Sequence, residues 1–205
     1  MAGTYNIGDV GPAGGIIFYD KGASSDGWQY LEAAPAQTEF QRIEWFPEKL
    51  KLSGTKAELG TGRQNTQIIT EALKVFFSNE NAQRSLDGKP VVKWEAFLTD
   101  KCAARRCAEL DHGGVKDWFL PSADELLLMY QNLRLKGLGD FKPARYWSSS
   151  QIEDPKSSYY DKAYHLGAYF VFFEAKIVDG VITGNQTVKT SVRSNGWPVR
   201  AIRAF

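Results

Sequence analysis

The side chains best suited to nucleophilic or metal chemistry are few: two cysteines and two histidines. Cys102 and Cys107 stand five positions apart in an alanine-rich, helix-like stretch. That spacing is about 140° of helix rotation, so the thiols point different ways and form no disulfide with each other. A reactive thiolate or a metal pair needs His or acidic helpers, and neither His112 nor His165 has metal-ligand spacing. Both cysteines therefore read as small buried apolar residues. His112 follows Asp111, an arrangement suited to a general base, but no nucleophile lies nearby in sequence. With Gly113 and Gly114 behind it, His112 reads as a solvated turn residue.

Two glycine groups invite a phosphate-cradle reading. Gly8, Gly11, Gly14 and Gly15 precede a strand-like run, whereas a cradle follows a strand and opens a helix. Gly60-Thr61-Gly62 lacks the third glycine and the preceding strand, and reads as a helix-entry turn. Asp124 and Glu125 resemble paired catalytic carboxylates, but neighbouring helical side chains diverge by about 100°, and capping accounts for both. The residues thus assign no catalytic group, no metal site and no cofactor.

A different kind of chemistry gathers near the C-terminus. Tyr159, Tyr160, Tyr164, Tyr169, Phe170, Phe172 and Phe173 crowd a short run that also holds Asp161 and His165. Tyr gives large contact area at low side-chain entropy and adds a hydroxyl, the composition of binding loops. If Ala163–Ala175 is one strand, Leu166, Ala168, Phe170 and Phe172 face inward. His165, Tyr169 and Phe173 then face the solvent. The expected ligand-binding set is Tyr159, Tyr160, Asp161, Tyr164, His165, Tyr169, Phe173, Ser191, Ser194 and Asn195. Tyr160 and Tyr164 are undecided between surface and scaffold.

The elements that must hold this set are legible in outline. Ile16–Tyr19 and Trp28–Ala33 read as two strands of a hairpin. Ile69, Ala72, Leu73 and Phe76 mark one face of a helix capped by Asn65 and ending near Asn79. Val91–Leu110 contains further helical material. Ser122-Ala123-Asp124-Glu125 is a capping box, followed by Leu126, Met129, Tyr130 and Leu133 on one face and Gly137 at the C-terminal end. Tyr146–Ser150 starts a strand, Asp179-Gly180 and Ser194-Asn195-Gly196 are turns, and Val199–Phe205 is a final strand closing against Ile16–Tyr19. Helices in the first two-thirds and strands mostly at the ends predict an α+β class and a single domain over residues 1–205.

A net charge of +1 gives no electrostatic case for nucleic acid or an anionic membrane. No apolar run reaches the roughly 18 residues of a membrane span. Met1–Thr4 carries no export signal.

Four motifs in order carry a family resemblance: Gly14–Tyr19, Trp118–Ser122, Tyr146–Ser150 and Val199–Phe205. Together they resemble the C-type-lectin-like domains related to the formylglycine-generating enzyme, over most of the chain. Within that group the chain looks most like the variable proteins of diversity-generating retroelements, as found in treponemal spirochaetes. The resemblance implies a C-type-lectin-like fold, with residues 1–156 and 196–205 as scaffold and 157–195 as a variable ligand-binding region. It implies a reverse transcriptase that rewrites adenines in a template copy of the 3′ segment. From Ser157 to Phe173, every residue except Lys162 is of a type reachable from an Asn codon by adenine changes. An exported display protein at the cell surface or outer membrane is implied, held by a lipid anchor outside this chain and facing an extracellular ligand of protein type.

Two departures shape the expectation. No cysteine follows Cys107, which argues against the enzyme's late active-site cysteines. Neither Glu-Pro-Asn nor Gln-Pro-Asp is present, so calcium-dependent sugar binding does not follow from the fold. A non-enzymatic binding module is the expected function; the alternatives are an enzyme of that type and a structural envelope protein.

Overall fold

A computed structural model describes residues 4–47, 52–151, 167–174, 176–178, 181–184 and 188–205. The chain is an α+β protein. Strands β1 (Ile16–Ser25) and β2 (Trp28–Ala33) form the expected hairpin, followed by β3 (Phe40–Ile43). Helices α1 (Gly62–Leu86), α2 (Ala103–Ala108) and α3 (Ala123–Asn132) come next. The last third carries β4 (Arg145–Gln151), β5 (Ala168–Phe172), β6 (Lys176–Val178), β7 (Val181–Thr183), β8 (Val188–Ser191), β9 (Trp197–Val199) and β10 (Ile202–Ala204).

Every described strand pair is antiparallel. The first sheet has the order β1-β2-β10, with Ile202 opposite Ala33 and Ala204 opposite Leu31. The final strand therefore pairs with β2, not with Ile16–Tyr19 as the sequence suggests. On its far side β10 is bridged by Phe119, so that edge is covered. Strands β3 and β9 form a two-stranded ladder, and β4-β5-β8 a three-stranded sheet.

Alternation along β4 and β5 divides the core. Trp147, Ala168 and Phe170 face one apolar cluster, with Trp45, Ile69 and Leu73 of α1. Tyr146, Val171 and Phe173 face the other, with Leu126, Met129 and Tyr130 of α3. Because β5 lies between β4 and β8 and is covered on both faces, its run of apolar residues is a buried central strand. The inward-outward split expected along Ala163–Ala175 fails for this reason over residues 168–173; residues 163–166 and 175 lie outside the described ones.

Two helix boundaries also differ from expectation. Thr61, not Asn65, is the N-cap of α1, and the helix runs on to Leu86 rather than ending near Asn79. Asn65 is buried in the first turn, where its amide brackets the Lys56 backbone, accepting from N at 2.8 Å and donating to O at 2.6 Å. Within Val91–Leu110 only Ala103–Ala108 is α-helical, after a short 3-10 turn at Trp94–Ala96. By contrast, the Ser122–Glu125 capping box forms with both reciprocal bonds. The segment after α3 ends at Gly137, at φ 71°, a left-handed conformation that suits glycine.

The Trp-Ser-Ser-Ser run of β4 has a structural explanation. The β4–β5 register shifts between Trp147 and Gln151, interrupting the ladder. The serines supply replacement bonds: Ser148 Oγ to Tyr169 O at 2.9 Å, and Ser150 Oγ to Lys56 O at 2.7 Å. Ser150 Oγ also accepts from Ala123 N, and Trp45 Nε1 donates to Ser148 O at 2.6 Å. Buried polar backbone must be paired, and here short hydroxyl side chains do it.

Candidate ligand-binding site

The sheet register gathers one end of three strands. Gln151 at the end of β4 is opposite Ala168 at the start of β5, which is opposite Ser191 at the end of β8. The expected ligand-binding residues Ser191, Ser194 and Asn195 lie at this edge. Ser194 is exposed, while Ser191 and Asn195 are half-buried. Asn195 Nδ2 donates to Ser191 Oγ at 2.7 Å, and Asn195 O accepts from Trp147 Nε1 at 3.2 Å, so the turn is tied to the core.

Beneath the turn lies a buried polar base. Arg193 is 1% exposed, with its guanidinium 5.1 Å from the Trp45 ring and its Nη2 donating to Gln151 Oε1 at 2.6 Å. Gln151 in turn donates Nε2 to Leu52 O and its backbone N–H to Thr55 Oγ1. Both ends of the segment between β4 and β5 are thus pinned, Gln151 by these bonds and Ala168 by its place in the ladder. Tyr159, Tyr160, Asp161, Tyr164 and His165 lie outside the described residues.

Two of the expected surface residues are corrected. Phe173 is fully buried, with its ring centroid 4.5 Å from Tyr146, 5.0 Å from Phe141 and 5.2 Å from Tyr130. Tyr169 is 5% exposed and packs with Ala123. Both follow from β5 being covered on each face. Phe170, placed in the core by the sequence, is buried, and Phe172 is half-buried against the same cluster.

Groups weighed for catalysis are engaged elsewhere. Cys102 and Cys107 are fully buried free thiols; burial pushes Cys102 up to about 12 and Cys107 upward as well. The Asp111 carboxylate pairs with Lys116 at 3.2 Å, and the His112 backbone bonds Val115 in a turn. The amides after Gly11 cradle a carboxylate of the protein itself. Glu32, fully buried, accepts from Gly15 N at 2.6 Å and Ala13 N at 3.2 Å. A side chain at Gly15 would strike the Ala33 carbonyl oxygen. Among the described residues, no three His, Cys, Asp or Glu side chains converge on a metal position.

Sequence reasoning missed a concavity elsewhere in the fold. A cleft of about 720 Å³ opens between the tip of the β1–β2 hairpin and the start of α1, lined by Trp28, Arg63, Gln67, Asp117, Phe119 and Phe205 among others. Its charges are paired: Asp117 accepts from Arg203 at 3.0 Å and lies 3.7 Å from Arg63. At its floor the buried Glu125 carboxyl accepts from Ser122 N at 2.7 Å and Gly60 N at 2.9 Å. Desolvation raises its pKa to about 7 against these bonds. The capping box was visible in sequence, but the bond to Gly60 joins residues 65 positions apart and left no local signal.

No model of a known protein family matches this chain, and no curated protein matches it.

Proposed function

We propose that this protein is a ligand-binding display module with a C-type-lectin-like fold, whose C-terminal region is diversified by a retroelement. The role is non-enzymatic. The ligand is an extracellular protein, and the chain acts at the cell surface or outer membrane through an anchor outside residues 1–205. The observation that carries this reading is the register at Gln151, Ala168 and Ser191. It sets the two ends of the Tyr-rich segment beside the Ser191–Asn195 turn, on a base of buried polar bonds. A rigid base under a changeable surface is what diversification requires, because sequence change there leaves the core untouched. Antiparallel pairing of the N-terminal hairpin with the last strand agrees with a C-type-lectin-like closure.

Sequencing this gene and its flanking DNA from several isolates tests the reading. The expected result is a near-copy of the 3′ segment beside a reverse transcriptase gene, with isolate differences confined to template adenines. Finding neither would sink the retroelement reading.

A further inference from the structure

We propose that the open end of the β4-β5-β8 sheet, beyond the buried Trp147, Phe170 and Ala168, docks an acidic protein surface through Arg145, Phe172, Lys189 and Trp197. The inference rests on the binding-module reading above and specifies its partner.

Register and alternation place these residues together. Arg145 is opposite Phe172, Phe170 is opposite Lys189, and Ala168 is opposite Ser191. Directly opposed residues share a face, and so do residues two apart along a strand. Arg145, Phe172, Lys189 and Ser191 therefore share one face. Trp197 joins them, stacked on Trp147 at 4.2 Å and packed against Phe170 at 4.5 Å. Towards Ser191 this face is buried at Phe170 and Ala168.

The state of the two cations points to the partner. The Arg145 guanidinium lies 5.4 Å from the Phe172 ring, 5.6 Å from Trp197 and 5.8 Å from Phe170. Three aromatic rings hold it in place while its side chain remains exposed. Arg63, Arg105, Arg200 and Arg203 each have a carboxylate within 3.7 Å. Arg145 and Lys189 have none among the described residues, nor do Arg42, Arg84, Arg106 and Arg134; what sets Arg145 apart among the described cations is that three aromatic rings surround it. A guanidinium ordered by stacking loses little further entropy when a carboxylate bonds it. Half-buried Trp and Phe beside it supply the apolar anchor, and Trp and Arg are the residues that dominate protein interfaces. Two cations and a net charge of +1 are too few to neutralise a run of phosphates, which favours an acidic protein over nucleic acid.

The test pans a random peptide library, displayed on phage, against the immobilised full chain. Enriched peptides should carry Asp or Glu beside an aromatic or aliphatic residue. Their binding should fall about tenfold with Arg145→Ala and about a hundredfold with Arg145→Glu and Lys189→Glu together. Arg145→Lys should restore only part, because an ammonium does not stack as a planar fork. Lys189→Glu alone, at an exposed strand position, carries the test if the double variant fails to fold. Peptides without acidic enrichment, affinity indifferent to these variants, displacement by single-stranded DNA, or no enriched peptide at all would each overturn the proposal. Peptides that lose binding with Ser194→Trp yet ignore Arg145 and Lys189 would overturn it while leaving the display reading intact.

Discussion

Arg200 and Glu39 form an ion pair 2.6 Å long whose side chains are 2% and 4% exposed. The pair lies where the two main sheets meet. Tyr146 of β4 donates its hydroxyl to the same Glu39 oxygen at 2.9 Å, and Arg200 Nη1 donates to Ala34 O and Gly139 O. Removing one partner leaves the other charged and buried. Arg200→Ala or Glu39→Ala should therefore cost about 3–5 kcal/mol, whereas Arg200→Met combined with Glu39→Leu should cost less than either. Urea unfolding of the three variants checks this, and equal losses would show that the penalty does not come from an orphaned charge.

Burial moves the Glu125 carboxyl from 4.5 to about 7. Between those values the folded chain holds a proton that the unfolded chain has released. The group's stabilising contribution is complete below pH 4.5 and is lost as pH rises through 7; its full size is about 3 kcal/mol. Glu32, also raised by burial, acts in the same direction. Unfolding free energies measured from pH 4.5 to 8 should carry this falling component, and Glu125→Gln should flatten it. The variant should also lose about 1–3 kcal/mol overall, because its amide N–H₂ would face backbone N–H groups. An unchanged pH slope in Glu125→Gln would remove the basis for the prediction.

Phe173 and Ser194, grouped together by sequence, should separate on substitution. Phe173→Ala empties a site walled by three aromatic rings, at a cost of about 3–5 kcal/mol. Ser194→Ala at an exposed turn should cost far less. Thermal or denaturant midpoints distinguish them, and a mild Phe173→Ala would contradict its assignment to the core.

The two thiols give a probe of global opening. Cys102 and Cys107 are fully buried, and burial holds both in the protonated form at neutral pH. A thiol reagent should label both together at the rate of unfolding, and destabilising variants should speed both equally. Fast labelling of one alone would reveal a local opening around α2.

Local signals are legible in the sequence, and distant ones are not. The β1–β2 hairpin and the Ser122–Glu125 capping box depend on contacts a few residues apart, and both were legible. Phe173 was not, because alternation shows which residues share a face but not whether a face is covered. Only the packing of α3 against β5 decides that. Asn65 has the residue type of a cap, yet its amide serves Lys56, nine positions earlier. At the candidate site, the polar turn was recognisable from composition. Arg145 was missed because its partners, Phe170, Phe172 and Trp197, are brought to it by the sheet register.

The ladder contact of Gln151 with Ala168 closes the chain between them. The bonds that fix Gln151 come from Leu52, Thr55 and Arg193, all outside the stretch between these two residues, so substitutions within that stretch leave the bonds of the closure in place.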